Sequence, residues 1–171
     1  MSSGAHIAAY RPHVVVPIYH HGIFIKTGFK REFAYKHKYQ ESVARINKDK
    51  HLWRNSATLA DSGDSASRWW LEITTTGEDD LVIDFDDKGM HLTTYANFKN
   101  GCKLYKIDHH DAYAADRVCE RAIDHYLQFS GAYNILNCNC ESVANYIVTG
   151  KEKSSQVRRA LSVVFPPLAL T

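Results

Sequence analysis

Every strand-like segment of this chain lies ahead of its two helical ones, and that order limits the fold more than any other feature. The stretch "DAYAADRVCERAIDHYLQFSG" predicts a helix from about 111 to 129, with Ala115, Val118, Ala122 and Tyr126 at helical spacing. Asp111 is placed to cap its start, and Gly131 follows its end. A second helix is predicted to begin at or near Cys140. There Cys140, Val143, Ala144 and Ile147 form one stripe and Gly150 closes the element. Upstream, "HVVVPIYHHGIFI" (13–25), "RWWLEITTT", "DDLVIDF" and "CKLYKI" (102–107) are rich in β-branched and aromatic residues. Strands followed by helices define an α+β domain, a small antiparallel sheet packed on helices.

Finer punctuation adds detail. Pro17 interrupts the first strand run, and Gly22 marks a place where something packs close to the backbone. Gly77 separates "RWWLEITTT" from "DDLVIDF", which predicts a hairpin between them. Residues 28–68 read as an insertion carrying little chemistry. "KREFAYKHKYQESVARINKDK" is basic and weakly patterned, and "NSATLADSGDSAS" has a loop signature. Its aromatic residues suggest that it docks on the body of a single domain spanning 1–171.

Bulk properties exclude several classes. A length of 171 residues suits one domain with a real core. A formal net charge of +2 gives no strong footprint for nucleic acid. The N-terminus shows no secretory pattern, and the apolar tail "ALSVVFPPLAL" is short and broken by two prolines. Cys102, Cys119, Cys138 and Cys140 are spaced unlike a disulfide framework. A reducing, cytoplasmic setting follows as the expectation.

The residues able to do chemistry are few. At a helix start, Cys140 would meet unpaired N–H groups and the positive end of the dipole, which favour a thiolate nucleophile. The competing reading is a small buried residue on the inner stripe of its helix. Cys138 lies before the helix and lacks that benefit. A zinc site joining Cys138 and Cys140 to His109 and His110 has the wrong ligand spacing. A thiol nucleophile needs a base, and His20 and His21 lie inside a strand. Alternation puts His20, Gly22 and Phe24 on one face and His21, Ile23 and Ile25 on the other, so only one histidine can face a given cysteine. Asp84 is a carboxylate within the apolar run "LVIDF". It is either a buried partner for a histidine or a strand-end residue facing water beside Asp86 and Asp87.

The order "YHHGIFI", "LVIDF", a helix, then "YNILNCNCESVANYIVTG" resembles the lecithin:retinol acyltransferase-like (H-box/NC) family. That family includes the HRAS-like-suppressor phospholipase/acyltransferases and has picornaviral H-box/NC relatives. The likeness covers roughly residues 4–30 and 78–160. It implies a permuted papain-like cysteine hydrolase fold, with Cys140 as nucleophile, His20 as the catalytic histidine and His21 in reserve. The family's second histidine falls on Asp84, and a carboxylate can equally hold an imidazole's tautomer. Where the family reads "CEHF", this chain has Ser142 and Val143 after Cys140 and Glu141.

Two functions follow from different classes. The first is a thiol-dependent acyltransferase or phospholipase that forms an acyl-cysteine from an ester donor, an acyl-bearing lipid, with peripheral membrane contact and no metal or organic cofactor. The second is a catalytically silent module, of viral non-structural type, that binds RNA or a host protein. Its contact surface would be the insertion, through Lys30, Arg31, Lys36, Lys38, Arg45, Lys48 and Lys50. The bland reading of that run is a solvated basic face.

Overall fold

The computed structural model describes residues 1–12, 18–35, 58–60, 67–73, 79–128, 132–134, 138–155 and 157. The elements run β1 (His6–Arg11), β2 (Ile18–Ile25), β3 (Phe29–Tyr35), β4 (Thr58–Ala60), β5 (Ser67–Ile73), β6 (Leu81–Asp86), β7 (Gly89–Thr94), α1 (Tyr95–Lys99), β8 (Leu104–Ile107), α2 (Ala115–Gln128) and α3 (Cys140–Thr149). The class is α+β, as expected. Five strands form an antiparallel sheet in the order β7-β6-β2-β1-β8, and three more form a second sheet in the order β3-β5-β4.

Alternation along the central strands builds two cores, one on each face of the five-stranded sheet. Ile23 and Ile25 of β2 and Leu81, Ile83 and Phe85 of β6 meet the apolar stripes of α2 and α3. Val118, Ala122, Ile123 and Tyr126 come from α2, and Val143, Ala144 and Ile147 from α3. On the other face Ile7, Ala9, Phe24 and Val82 form a smaller cluster closed by Phe98 of α1. Each large side chain buried this way contributes about 1.5–3 kcal/mol. Gly22 belongs to that smaller face, and a methyl group there would come within 2.5 Å of Val82 Cγ1 and 3.1 Å of the Ile83 carbonyl. The close approach read from the sequence is therefore an approach of β6 and α1.

The sequence reading and the structure differ in three places. "RWWLEI" and "LVIDFD" do not form a hairpin: β5 pairs with β3 and β4, whereas β6 pairs with β2 and β7. The register Ile25↔Leu81 and Ile23↔Ile83 explains the choice, because it puts the inward residues of both strands on one face. The described part of the insertion (28–68) contains strands, with β3 and β4 flanking β5. Its residues 36–57 and 61–66 lie outside the described residues, and with them Lys36, Lys38, Arg45, Lys48 and Lys50; so do Pro17, Gly77, Gly131 and the tail from 158 onward.

The third difference concerns α2, which starts at Ala115 rather than near Asp111. Asp111 instead bonds Lys151 beyond the end of α3, and the Tyr113 N–H donates to the Val148 carbonyl at 2.9 Å. These contacts hold residues 111–113 against the far end of α3. Arg121 of α2 completes the clamp by donating to the Ile147 and Tyr146 carbonyls, at 2.8 and 2.7 Å. A guanidinium at a helix C-terminus satisfies orphan carbonyls and opposes the negative end of the dipole. Gly150, at φ 78°, ends α3 in the left-handed conformation that glycine adopts cheaply. So α3 is fixed at its far end, and its start is aimed at the sheet.

Candidate active site

That start carries Cys140. Asn134 and Cys138 exchange two backbone hydrogen bonds of 2.8 Å, and Asn139 follows as the N-cap. The Asn139 side chain accepts from the Ser142 N–H at 3.0 Å, and the Ser142 hydroxyl accepts from the Asn139 N–H at 2.9 Å. This is a reciprocal capping box, typically worth about 1 kcal/mol. Ser142 thus has a local structural job. Glu141, buried beside it, accepts from the hydroxyls of Ser154 and Ser155, each at 2.6 Å. Cys140 is consequently the first residue of a rigidly capped helix and is itself buried.

The second participant comes from β2. Pairing of β2 with β6 runs from Ile25↔Leu81 to Gly22↔Asp84, while β1 stays paired with β2 as far as Ile18. The register with β6 ends at Gly22, and beyond it the Cys140 thiol lies 3.7 Å from the Tyr19 carbonyl. His20 sits on this stretch. Its Nε2 is 2.6 Å from Asp84 Oδ2, and Cys140 lies near enough to raise its pKa. With Nε2 engaged by the carboxylate, Nδ1 is the nitrogen left for the thiol. Phe98 backs the imidazole, with ring centroids 5.3 Å apart.

The alternatives left open by the sequence are resolved in position. Asp84 faces inward: its side chain is 10% exposed, and that of His20 is 22% exposed. Asp84 Oδ1 is buried without a hydrogen-bond partner among the described residues, so His20 is the carboxylate's one side-chain anchor there. His21 points to the opposite face, where its Nδ1 is 2.8 Å from His6 Nε2. Cys138 packs against the main core, and burial followed by the charge of Glu152 raises its pKa. Cys119 is buried in α2 and pushed up to about 12, chiefly by desolvation. His109 bonds His6 and His110 contacts Asp111, and the described residues contain no group of three or more His, Cys, Asp or Glu able to hold a metal.

The two adjacent histidines titrate in opposite directions. Burial alone would lower His20, but the hydrogen bond to Asp84 and the nearness of Cys140 override it and raise its pKa to about 10. Desolvation dominates at His21 and lowers it to about 4, against an opposing pull from Glu141. His20 therefore holds a proton firmly at neutral pH, between a carboxylate and a thiol. His21 is a neutral imidazole.

Several neighbours were not legible beforehand. A cavity of about 290 Å³ opens beside His20 and Asp84, with Arg11, His91, Asn97 and Phe98 also in its wall. Tyr133 lies near enough for the charge of Cys140 to affect it, and desolvation followed by that charge raises its phenol pKa. The only sequence signal for Arg11 is weak, the alternation Ile7, Ala9, Arg11 in a segment that alanine makes look strand-neutral. No family model, no curated protein and no solved structure matches this chain. Among the described residues, no helix is long and apolar enough to cross a membrane.

Proposed function

We propose that this chain is a thiol-dependent acyl-transfer enzyme that forms an acyl-cysteine from an ester donor, built on the permuted papain-like plan that its likeness to the lecithin:retinol acyltransferase-like family implies. The observation that carries this reading is the 2.6 Å hydrogen bond between Asp84 and His20 set beside the Cys140 thiol at the start of α3, near enough to raise the His20 pKa. Nucleophile, base and orienting group in that order are what covalent acyl transfer requires.

The proton of the Cys140–His20 pair rests on His20, so the Cys140 sulfur attacks as the thiolate and bonds to the acyl carbonyl carbon. Asp84 keeps the imidazole in one orientation and stabilises its charged form. As the tetrahedral intermediate collapses, the bond to the leaving oxygen breaks and His20 returns the proton to it. A second nucleophile, water or the hydroxyl or amine of an acceptor, then gives its proton to His20 and takes the acyl group, restoring protonated His20 beside the free Cys140 sulfur. Among the described residues the Cys140 N–H makes no hydrogen bond, which leaves it to the developing oxyanion.

Intact-mass spectrometry after incubation with an activated acyl ester tests the reading. An acyl adduct is expected on the wild type and on Cys138→Ala, and none on Cys140→Ala. His20→Ala is expected to slow its formation by about 10²–10⁴-fold. Absence of any adduct on the wild type, with phospholipid donors as well, overturns it in favour of a silent binding module.

A further inference from the structure

The cavity beside His20 contains a cation, Arg11, that no carboxylate pairs with among the described residues. Arg11 ends β1, whose register sets Ala9 opposite His20 and Arg11 opposite Ile18. Arg11 and His20 are thus diagonal neighbours on one sheet face, with backbones about 7–8 Å apart. The guanidinium is half-buried and fixed by two bonds, to Cys102 Sγ at 2.8 Å and to the Phe98 carbonyl at 3.0 Å. Neither partner is a carboxylate. The cavity's two carboxylates are already engaged, Asp84 with His20 at 2.6 Å and Asp86 with His91 at 2.7 Å. The remaining N–H groups of Arg11 have no partner among the described residues.

A guanidinium held in one orientation, with donors to spare and no counter-charge, is a ready fork for a planar or tetrahedral oxyanion group. Asn97 and Thr93 add neutral polar groups to the same wall. We propose that Arg11 forms an anion subsite for the acyl donor, whose carboxylate or phosphate group lies only a few bonds from the carbonyl attacked by Cys140. This rests on the acyl-transfer reading and narrows its substrate class. The competing account gives Arg11 a purely structural job, tying α1 and Cys102 to the end of β1. That job needs a donor but gives no preference for anions.

The test is alkylation of the full chain by iodoacetate and by neutral iodoacetamide, read at Cys140 by peptide mass spectrometry so that Cys102 is scored separately. The iodoacetate-to-iodoacetamide rate ratio at Cys140 is expected to fall at least fivefold in Arg11→Gln and to be partly retained in Arg11→Lys. Inorganic phosphate and a monomeric short-chain glycerophospholipid are each added as competitors of iodoacetate. Protection by either one that disappears in Arg11→Gln supports the subsite, and the stronger protector identifies a free anion or a lipid headgroup as the source. An unchanged ratio in Arg11→Gln, or protection by neither, overturns it. In the wild type, a shift of the Arg11 Nε–H resonance on adding phosphate reads binding without needing a reactive thiol or a variant that folds. If that shift occurs while Cys140 forms no acyl adduct, the acyl-transfer reading fails and the anion site stands. If acylation proceeds but the resonance does not move, the subsite alone fails.

Discussion

Two consecutive residues of β2 show how strongly one strand can divide its chemistry. His20 faces the small core and an open cavity, beside a carboxylate and a thiol, and its pKa is raised to about 10. His21 faces the helices, bonded to His6, which in turn bonds His109 at 2.8 Å, and its pKa is lowered to about 4. The sequence supplies the same side chain twice. Only the side of the pleat differs, and with it the partner. Burial acts against charge at both positions; what separates them is that Asp84 and Cys140 offer His20 a reason to stay protonated, whereas His6 is another neutral imidazole, lowered by its own desolvation.

Asp84→Asn breaks this contrast most directly. The amide keeps the shape of the side chain but removes the charge that holds the His20 proton. Acyl-adduct formation at Cys140 is expected to drop by about 10²–10⁴-fold, as when the orienting acid of a triad is neutralised. The His20 pKa, followed by NMR titration, is expected to move from about 10 toward the ordinary histidine range. An unchanged rate with a lowered pKa would show that Asp84 tunes His20 without serving the reaction.

Stability against pH sharpens the comparison without any substrate. The raised pKa of His20 contributes stability that is fully present below about pH 6.5 and is lost as pH climbs through 10. The lowered pKa of His21, with His6 in the same direction, contributes stability that is present above about 6.5 and is lost as pH falls through 4. Urea unfolding across this range is therefore expected to give a dome with its maximum near pH 6.5 and to fall by a few kcal/mol on each side. His20→Ala should flatten the alkaline limb and His21→Asn the acid limb, each leaving the other in place. A single variant that flattens both limbs would mean that the two histidines titrate as one unit.

What could be read from the sequence follows the same division. The opposite facing of His20 and His21 is fixed by alternation once β2 is recognised, whereas the apolar run around Asp84 leaves a buried partner and a water-facing strand end equally open. Cys140 at a helix start was visible from its stripe and from Gly150. Invisible were the features made by residues far apart in sequence. His6, His21 and His109 form one chain only because β1 pairs with both β2 and β8. The alanine-rich β1 gave little strand signal of its own, which hid both His6 and Arg11. The short β7 and α1, "GMHLTTYANFK", were missed for a similar reason, since a strand and a one-turn helix in succession show no sustained period. The expected hairpin failed because Gly77 signals a turn but cannot say which strands then pair.

The smallest effect is expected at the outer end of the histidine chain, and it decides whether the two sheet faces communicate. His109 is partly exposed, and its Nε2 meets His6 Nδ1 at 2.8 Å. His109→Ala removes that bond but opens His6 Nδ1 toward water, so the loss should be about 0.5–1.5 kcal/mol in urea unfolding. The acid limb should shift slightly, because the His109 charge is one of the forces lowering His6 and His21. Acylation at Cys140 should stay within about twofold, since no hydrogen bond joins the chain to His20 among the described residues and every proton the reaction needs is held between Cys140 and His20. A large loss of acylation in His109→Ala, with folding intact, would overturn that separation and make the buried histidines a route for protons between the surface and the thiol.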